Sequence, residues 1–150
     1  MKIKLVAATL VAMAMAVAGG HAMAAKQSAA TGSGGGTKRV VLQLSDGSPG
    51  KQTLVLNVAN NLLKAYDDIE LEIVAFGPGL KLLFKDNANG KRVQSLAASG
   101  VRFSACKNTM RKMTKVLGEP PALVAEAVPV SAGVGRILEL TEQGYTLIRP

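Results

Sequence analysis

The chain has 150 residues and a formal net charge of +8, with 3% aromatic residues, no Trp, one Cys and one His. So few aromatics leave little on which bases could stack, and one Cys with one His supplies too few ligands for a zinc site of the usual kinds. The basic balance reads as a solvated cationic surface that favours small anions, and no nucleic-acid partner is expected.

Met1-Lys-Ile-Lys is a basic start, Leu5 to Val17 is a run of mostly Ala, Val, Leu and Met, and Ala22-Met23-Ala24 offers an A-x-A cleavage site. This is a secretory signal pattern, and residues 1–24 are read as a signal peptide. The run falls short of the roughly 20 apolar residues that span a bilayer, and no cysteine follows it to carry a lipid. A soluble periplasmic protein without a stable membrane anchor is therefore expected. Cleavage would remove His21 together with Lys2 and Lys4, leaving 16 Lys and Arg against ten acids, a formal charge of +6. A mature chain without histidine has neither Ser-His-Asp nor Cys-His catalysis open to it. Residues 25–37, rich in Gly and Ser, read as a flexible linker, which leaves 38–150 as one domain of common size.

Within that domain, apolar runs and turn residues alternate. Arg39 to Ser45 reads as a strand that stops at the turn cluster Asp46-Gly-Ser-Pro-Gly50. Lys51 to Tyr66 has helical spacing, with Leu54, Val58 and Leu62 on one stripe and Val55, Ala59 and Tyr66 beside it. Ile69 to Phe76 is a second strand, and Gly77-Pro78-Gly79 should halt regular structure. Leu80 to Phe84 and Lys91 to Ser99 read as helical, with Gly100 as a stop. Val101 to Ala105 is a third strand leading into Cys106, and Asn108 or Thr109 is placed to cap a helix that runs to Leu117. Leu123 to Val130 makes a fourth strand, Ser131 caps a last helix, and Tyr145 to Ile148 makes a fifth strand. The alternation predicts an open, mostly parallel five-stranded sheet with helices on both faces.

In such sheets, reactive groups gather at the carboxyl ends of the strands. Three loops fall there: Ser45 to Gly50, Gly77 to Leu80, and the turn with Cys106. The first resembles a phosphate loop but fails the pattern, because Ser45 replaces the first Gly and Gln52 follows Lys51. Gly133-Val-Gly135 lacks the third glycine of a dinucleotide fingerprint. Met110 and Met113 are expected to fill core gaps. No cofactor and no metal are expected.

Cys106 is the candidate that remains. A lone thiol is most often a small buried hydrophobe. Against that, an oxidising compartment makes a stray thiol hazardous, and no second cysteine exists to pair with it. Its place at a helix N-terminus, with Lys107 beside it and Arg111 and Lys112 one turn on, is of the kind that lowers a thiol pKa from about 8.5 towards roughly 3.5–7.5.

VLQLSDGSPGKQTLVLNVANNLL (41–63), VAFGPGLKLL (74–83), GVRFSACKNTM (100–110) and VPVSAGVGRILELTEQGYTLIRP (128–150) together resemble the DsrE/DsrF-like family of small sulfur-trafficking proteins. The resemblance implies a flavodoxin-like sheet, a homo-oligomer (trimer or hexamer), and Cys106 as a persulfide-holding residue that relays sulfur between donor and acceptor thiols. For a carrier, Lys107, Asn108 and Thr109 would steady the anion; for a ligand-binding module, Asp46, Gly47, Gly77 to Gly79 and Asn108 would line the pocket. The competing expectation is a non-catalytic oligomeric module for a small ligand, with Cys106 merely lining its pocket. A thiol peroxidase is disfavoured because the chain holds no resolving cysteine.

Overall fold

The structure, a computed structural model, describes residues 36–150. The signal peptide and most of the linker expected from the sequence lie outside the described residues. The elements in chain order are β1 (Lys38–Leu44), α1 (Pro49–Ala65), β2 (Ile69–Ala75), a 3-10 helix (Gly77–Leu83) and α2 (Gly90–Ala98). They continue with β3 (Arg102–Cys106), α3 (Lys107–Leu117), β4 (Ala127–Val130), α4 (Gly133–Glu142) and β5 (Thr146–Ile148).

Every strand pairing is parallel, and the order across the sheet is β4-β3-β2-β1-β5. The three-layered α/β architecture is the open parallel sheet with helices on both faces that the alternation predicts, and it is of the flavodoxin-like class that the resemblance implies. The strand order differs from that of flavodoxin itself, which runs 2-1-3-4-5. From β1 to β4 the chain steps steadily outward, and right-handed crossovers in one direction keep the intervening helices on one face. Leu42, Leu44, Ile73 and Phe103 on that face pack against Val55, Leu56 and Ala59 of α1, Leu80, Leu82 and Leu83 of the 3-10 helix, and Val93 of α2. Burying a Leu, Ile or Phe side chain fully is worth about 1.5–3 kcal/mol, so this face carries most of the apolar stabilisation. After β4 the chain returns past β1, and that reversal puts α4 alone on the second face. There Ile137, Leu140 and Tyr145 cover Val41 and Val74.

Several local expectations change. On α1 the buried positions are Gln52, Val55, Leu56 and Ala59, while Leu54 is 40% exposed. Gln52 is buried because its amide donates to Gly47 O at 2.9 Å and its carbonyl accepts from Asn87 at 2.9 Å. Gly77-Pro78-Gly79 opens the 3-10 helix instead of ending structure, because Pro has no N–H to lose in a first turn. The fourth strand is shorter than expected. Leu123 instead forms an isolated antiparallel bridge with Phe84, clasped by Lys85 N to Ala122 O and Val124 N to Leu83 O, both 2.9 Å. Cys106 and Ala132, not Asn108, Thr109 or Ser131, occupy the cap positions of α3 and α4. Met110 and Met113 do pack against the core.

Close backbone approach decides two glycines. A Cβ at Gly79 would sit 2.3 Å from Leu44 O, and one at Gly47 would sit 2.6 Å from Pro78 O. The β1 loop and the 3-10 helix thus touch main chain to main chain. Gly79→Ala is expected to lower unfolding stability by about 1–3 kcal/mol or more through overpacking. Gly50→Ala, within α1 and with open space around it, is expected to raise it by about 0.5–1 kcal/mol. Urea denaturation of the two variants checks both signs.

Candidate functional site

Cys106 is the last residue of β3 and the cap of α3, with φ −71° and ψ 113°. The extended strand and the helix meet here without a linking loop, so the side chain is held by an element on each side. The residue is only 4% exposed. Its sulfur accepts a hydrogen bond from the backbone N–H of Gly133, the first residue of α4, at 3.2 Å. The thiol therefore lies between the N-termini of two helices, where unpaired amides and the positive dipole ends favour an anion.

Two opposing effects act on its acidity. Burial pushes the thiol pKa up. The Thr109 hydroxyl and amide, the Gly133 amide and the Asn108 amide together outweigh it, so the pKa lies below the ordinary thiol value. The Gly133 amide makes the formed bond to the sulfur, and the donors at 108 and 109 surround it without closing a short one. Hydrogen bonds to the charged form do this work, not net charge.

The cations that drew attention in the sequence turn elsewhere. Lys107 is exposed and lines a cleft of about 310 Å³ with Val130, Ser131, Ala132 and Arg136. Arg111 donates to the Asn108 side chain, so Asn108 serves the sulfur through its amide alone. Lys112 lines a different opening. No lysine or arginine figures among the groups that act on the thiol, so the expectation that basic charge keeps Cys106 ionised gives way to one of amide and hydroxyl donors.

Thr109 links the thiol to the second loop. Its Oγ1 accepts the Gly77 N–H at 2.8 Å, and Gly77 takes a left-handed φ of +53° that a glycine permits. Beside this contact lies an open groove of about 370 Å³, walled by Pro78, Phe84, Met113, Val116 and Leu117 with Lys81 and Lys112. Gly77 and Thr109 belong to its lining; Asp46, Gly47 and Gly79 do not. The Asp46 carboxylate instead accepts the Ser48 N–H at 2.7 Å in a turn that leads into α1, and that bond holds its carboxyl below the usual range. Cys106 lines neither opening. Among the described residues, no group of three or more His, Cys, Asp or Glu is placed to hold a metal ion.

A family model matches residues 38–150, the whole described domain from β1 onward: the DsrE/DsrF-like family. The chain belongs to the DsrE/DsrF-like family. This is a family of sulfur-relay type. The domain is also similar to a solved structure titled as a protein of unknown function, MTH1491, from Methanobacterium thermoautotrophicum. The two are 31% identical with a TM-score of 0.69, over 75% of this chain and 99% of that one. No curated protein matches. The family match thus confirms the resemblance carried by the motif around Cys106.

Sequence reasoning did not find Gly133. A Cβ there would meet the Phe76 side chain at 2.8 Å, so only glycine lets α4 start this close to the strand ends. Thr109→Val, which removes a hydroxyl that favours the thiolate, is expected to raise the Cys106 pKa, and about 1 kcal/mol of lost stabilisation corresponds to a thiolate-to-thiol ratio about fivefold smaller. Lys107→Ala is expected to leave it unchanged. The pH dependence of alkylation by a small reagent separates the two.

Proposed function

We propose that this DsrE-like protein is a monothiol sulfur carrier that holds sulfane sulfur as a persulfide on Cys106. The observation that carries this reading is the lone thiol set between two helix N-termini with the Gly133 amide on its sulfur. Its lowered pKa favours the thiolate, the form that attacks sulfur. In the loading step the thiolate attacks the outer sulfur of a polysulfide or persulfide donor. A new S–S bond forms, the donor's S–S bond breaks, and the shortened donor leaves with the electron pair. In the relay step an acceptor thiolate attacks the outer sulfur of the persulfide, and Cys106 departs as thiolate. No external oxidant is consumed, and one cysteine suffices.

The same donors that favour the thiolate would stabilise the persulfide anion. Cys106 is buried at 4% exposure and lines neither opening, so this reading calls for donors that are small and linear. The signal pattern at the N-terminus supports export to a periplasm, and the exposed apolar Val128, Val134 and Leu138 around α4 suit a homo-oligomer of trimeric or hexameric form.

A second reading has its own observation. The apolar groove with Lys81 and Lys112 beside Thr109 suits a small amphipathic anion, with Cys106 buried behind it as a structural residue. The two readings part on one experiment. Protein loaded with polysulfide, desalted and treated with cyanide is expected to release thiocyanate, and Cys106→Ser protein is expected to release none. Complementation of a deletion strain by Cys106→Ser, with no thiocyanate released by the parent protein, would instead establish the binding module.

A further inference from the structure

Glu72 is a carboxylate in the middle of β2, 1% exposed, on the face that α4 covers. It accepts three hydrogen bonds. Arg136 Nε reaches Oε1 at 2.8 Å, Arg136 Nη2 reaches Oε2 at 2.8 Å, and the Ser104 hydroxyl reaches Oε1 at 2.6 Å. Arg102 Nε stands 3.7 Å from Oε2 at the outer side. Burial alone would push the Glu72 carboxyl up, but the hydrogen bonds from Arg136 and Ser104 and the charges of both arginines hold it below the ordinary glutamate range.

A buried ion pair of this kind is weak evidence for a stability role, because well-packed apolar residues of similar volume often serve a fold as well. Its position suggests another role. Arg136 lies three residues, about one turn, after Gly133 on α4, and Ser104 lies two residues before Cys106 on the same face of β3. One carboxylate therefore joins the segment that donates the N–H to the strand that carries the sulfur.

We propose that Glu72 is a positioning residue: by clamping Arg136 of α4 to Ser104 of β3, it holds the Gly133 amide against the Cys106 sulfur. Glu72 touches no reacting atom. The inference rests on the reading of Cys106 as a working thiolate. Other charged and titratable groups near the clamp are Arg102, which faces Glu72 from β3, and Glu139, which pairs with Arg136 Nη1 at 3.3 Å. Glu70 accepts from the Tyr145 hydroxyl at 2.6 Å and pairs with Arg39, while Lys107 is exposed.

The charges give the test its sign. If Glu72 and Arg136 act only through their fields, removing the negative charge lowers the thiol pKa and removing the positive charge raises it. A clamp requires both changes to raise it, because either one frees α4. The test is a pH titration of thiolate ultraviolet absorbance in the full chain, with Cys106→Ser as blank, for Glu72→Gln, Arg136→Met and Ser104→Ala. All three variants are expected to raise the titration point. Loss of one hydrogen bond of about 1 kcal/mol corresponds to a thiolate-to-thiol ratio about fivefold smaller. Ser104→Ala leaves both charges paired and in place, so it carries the test if a charge variant fails to fold. Opposite shifts for Glu72→Gln and Arg136→Met, or no shift in Ser104→Ala, would overturn the clamp. A parent thiol that titrates in the ordinary range, while the variants still move upward together, would undo the carrier reading and leave the clamp standing.

Discussion

Parallel strands can be joined only by crossovers, and the side on which a crossover packs depends on the direction in which the sheet grows. In this domain the sheet grows one way through β4 and then reverses, so α4 alone is sent to the second face. That reversal brings the first amide of α4 to the carboxyl end of β3, where Cys106 sits. The Gly133 donor to the thiol, the Glu72–Arg136 pair and the cleft beside Lys107 and Arg136 all follow from this one change of direction. A helix on the usual face would have left the sulfur with the amides of α3 alone.

The chemistry of the thiol is then a contest between burial and donors. A buried thiol in apolar surroundings is inert, and burial is the largest single influence here. Several hydrogen-bond donors act together to overcome it. This balance suits a carrier better than exposed charge would. A cationic, open thiol would be ionised, but it would also meet every oxidant and thiol in its compartment. The donors at Gly133, Thr109 and Asn108 favour the anion, while burial at the strand ends restricts what reaches the sulfur.

Much of the fold was legible because strand runs, helical spacing and turn residues alternate without ambiguity from Lys38 to Pro150. The misreadings share a cause: they concern how an element meets its neighbours. Leu54 has the right spacing for a buried stripe but lies off the sheet-facing side, and Gln52 is buried only because Gly47 and Asn87 supply its partners. Gly77-Pro78-Gly79 looks like a stop, yet a left-handed turn at Gly77 and backbone contact with Leu44 at Gly79 make both glycines necessary to a helix start. At the site, Cys106 was legible from its place after a strand, and Thr109 from its place in the next turn. The outward course of Lys107 was not, since an exposed lysine's direction is not written locally. Gly133 and Arg136 were not legible either, because their partners lie 27 and 64 residues away. Glu72 left a trace: a second acid, two residues after Glu70, in a strand expected to be covered on both faces needs a buried cation.

The central claim is that Cys106 accepts sulfur within the folded domain. Its most direct test is the intact mass of the native protein after exposure to polysulfide, with alkylation trapping and a Cys106→Ser control. The expected result is one or more added sulfur atoms, removed by reductant and absent from the control. A thiol that stays unmodified in the native protein and reacts only after denaturation would contradict the account.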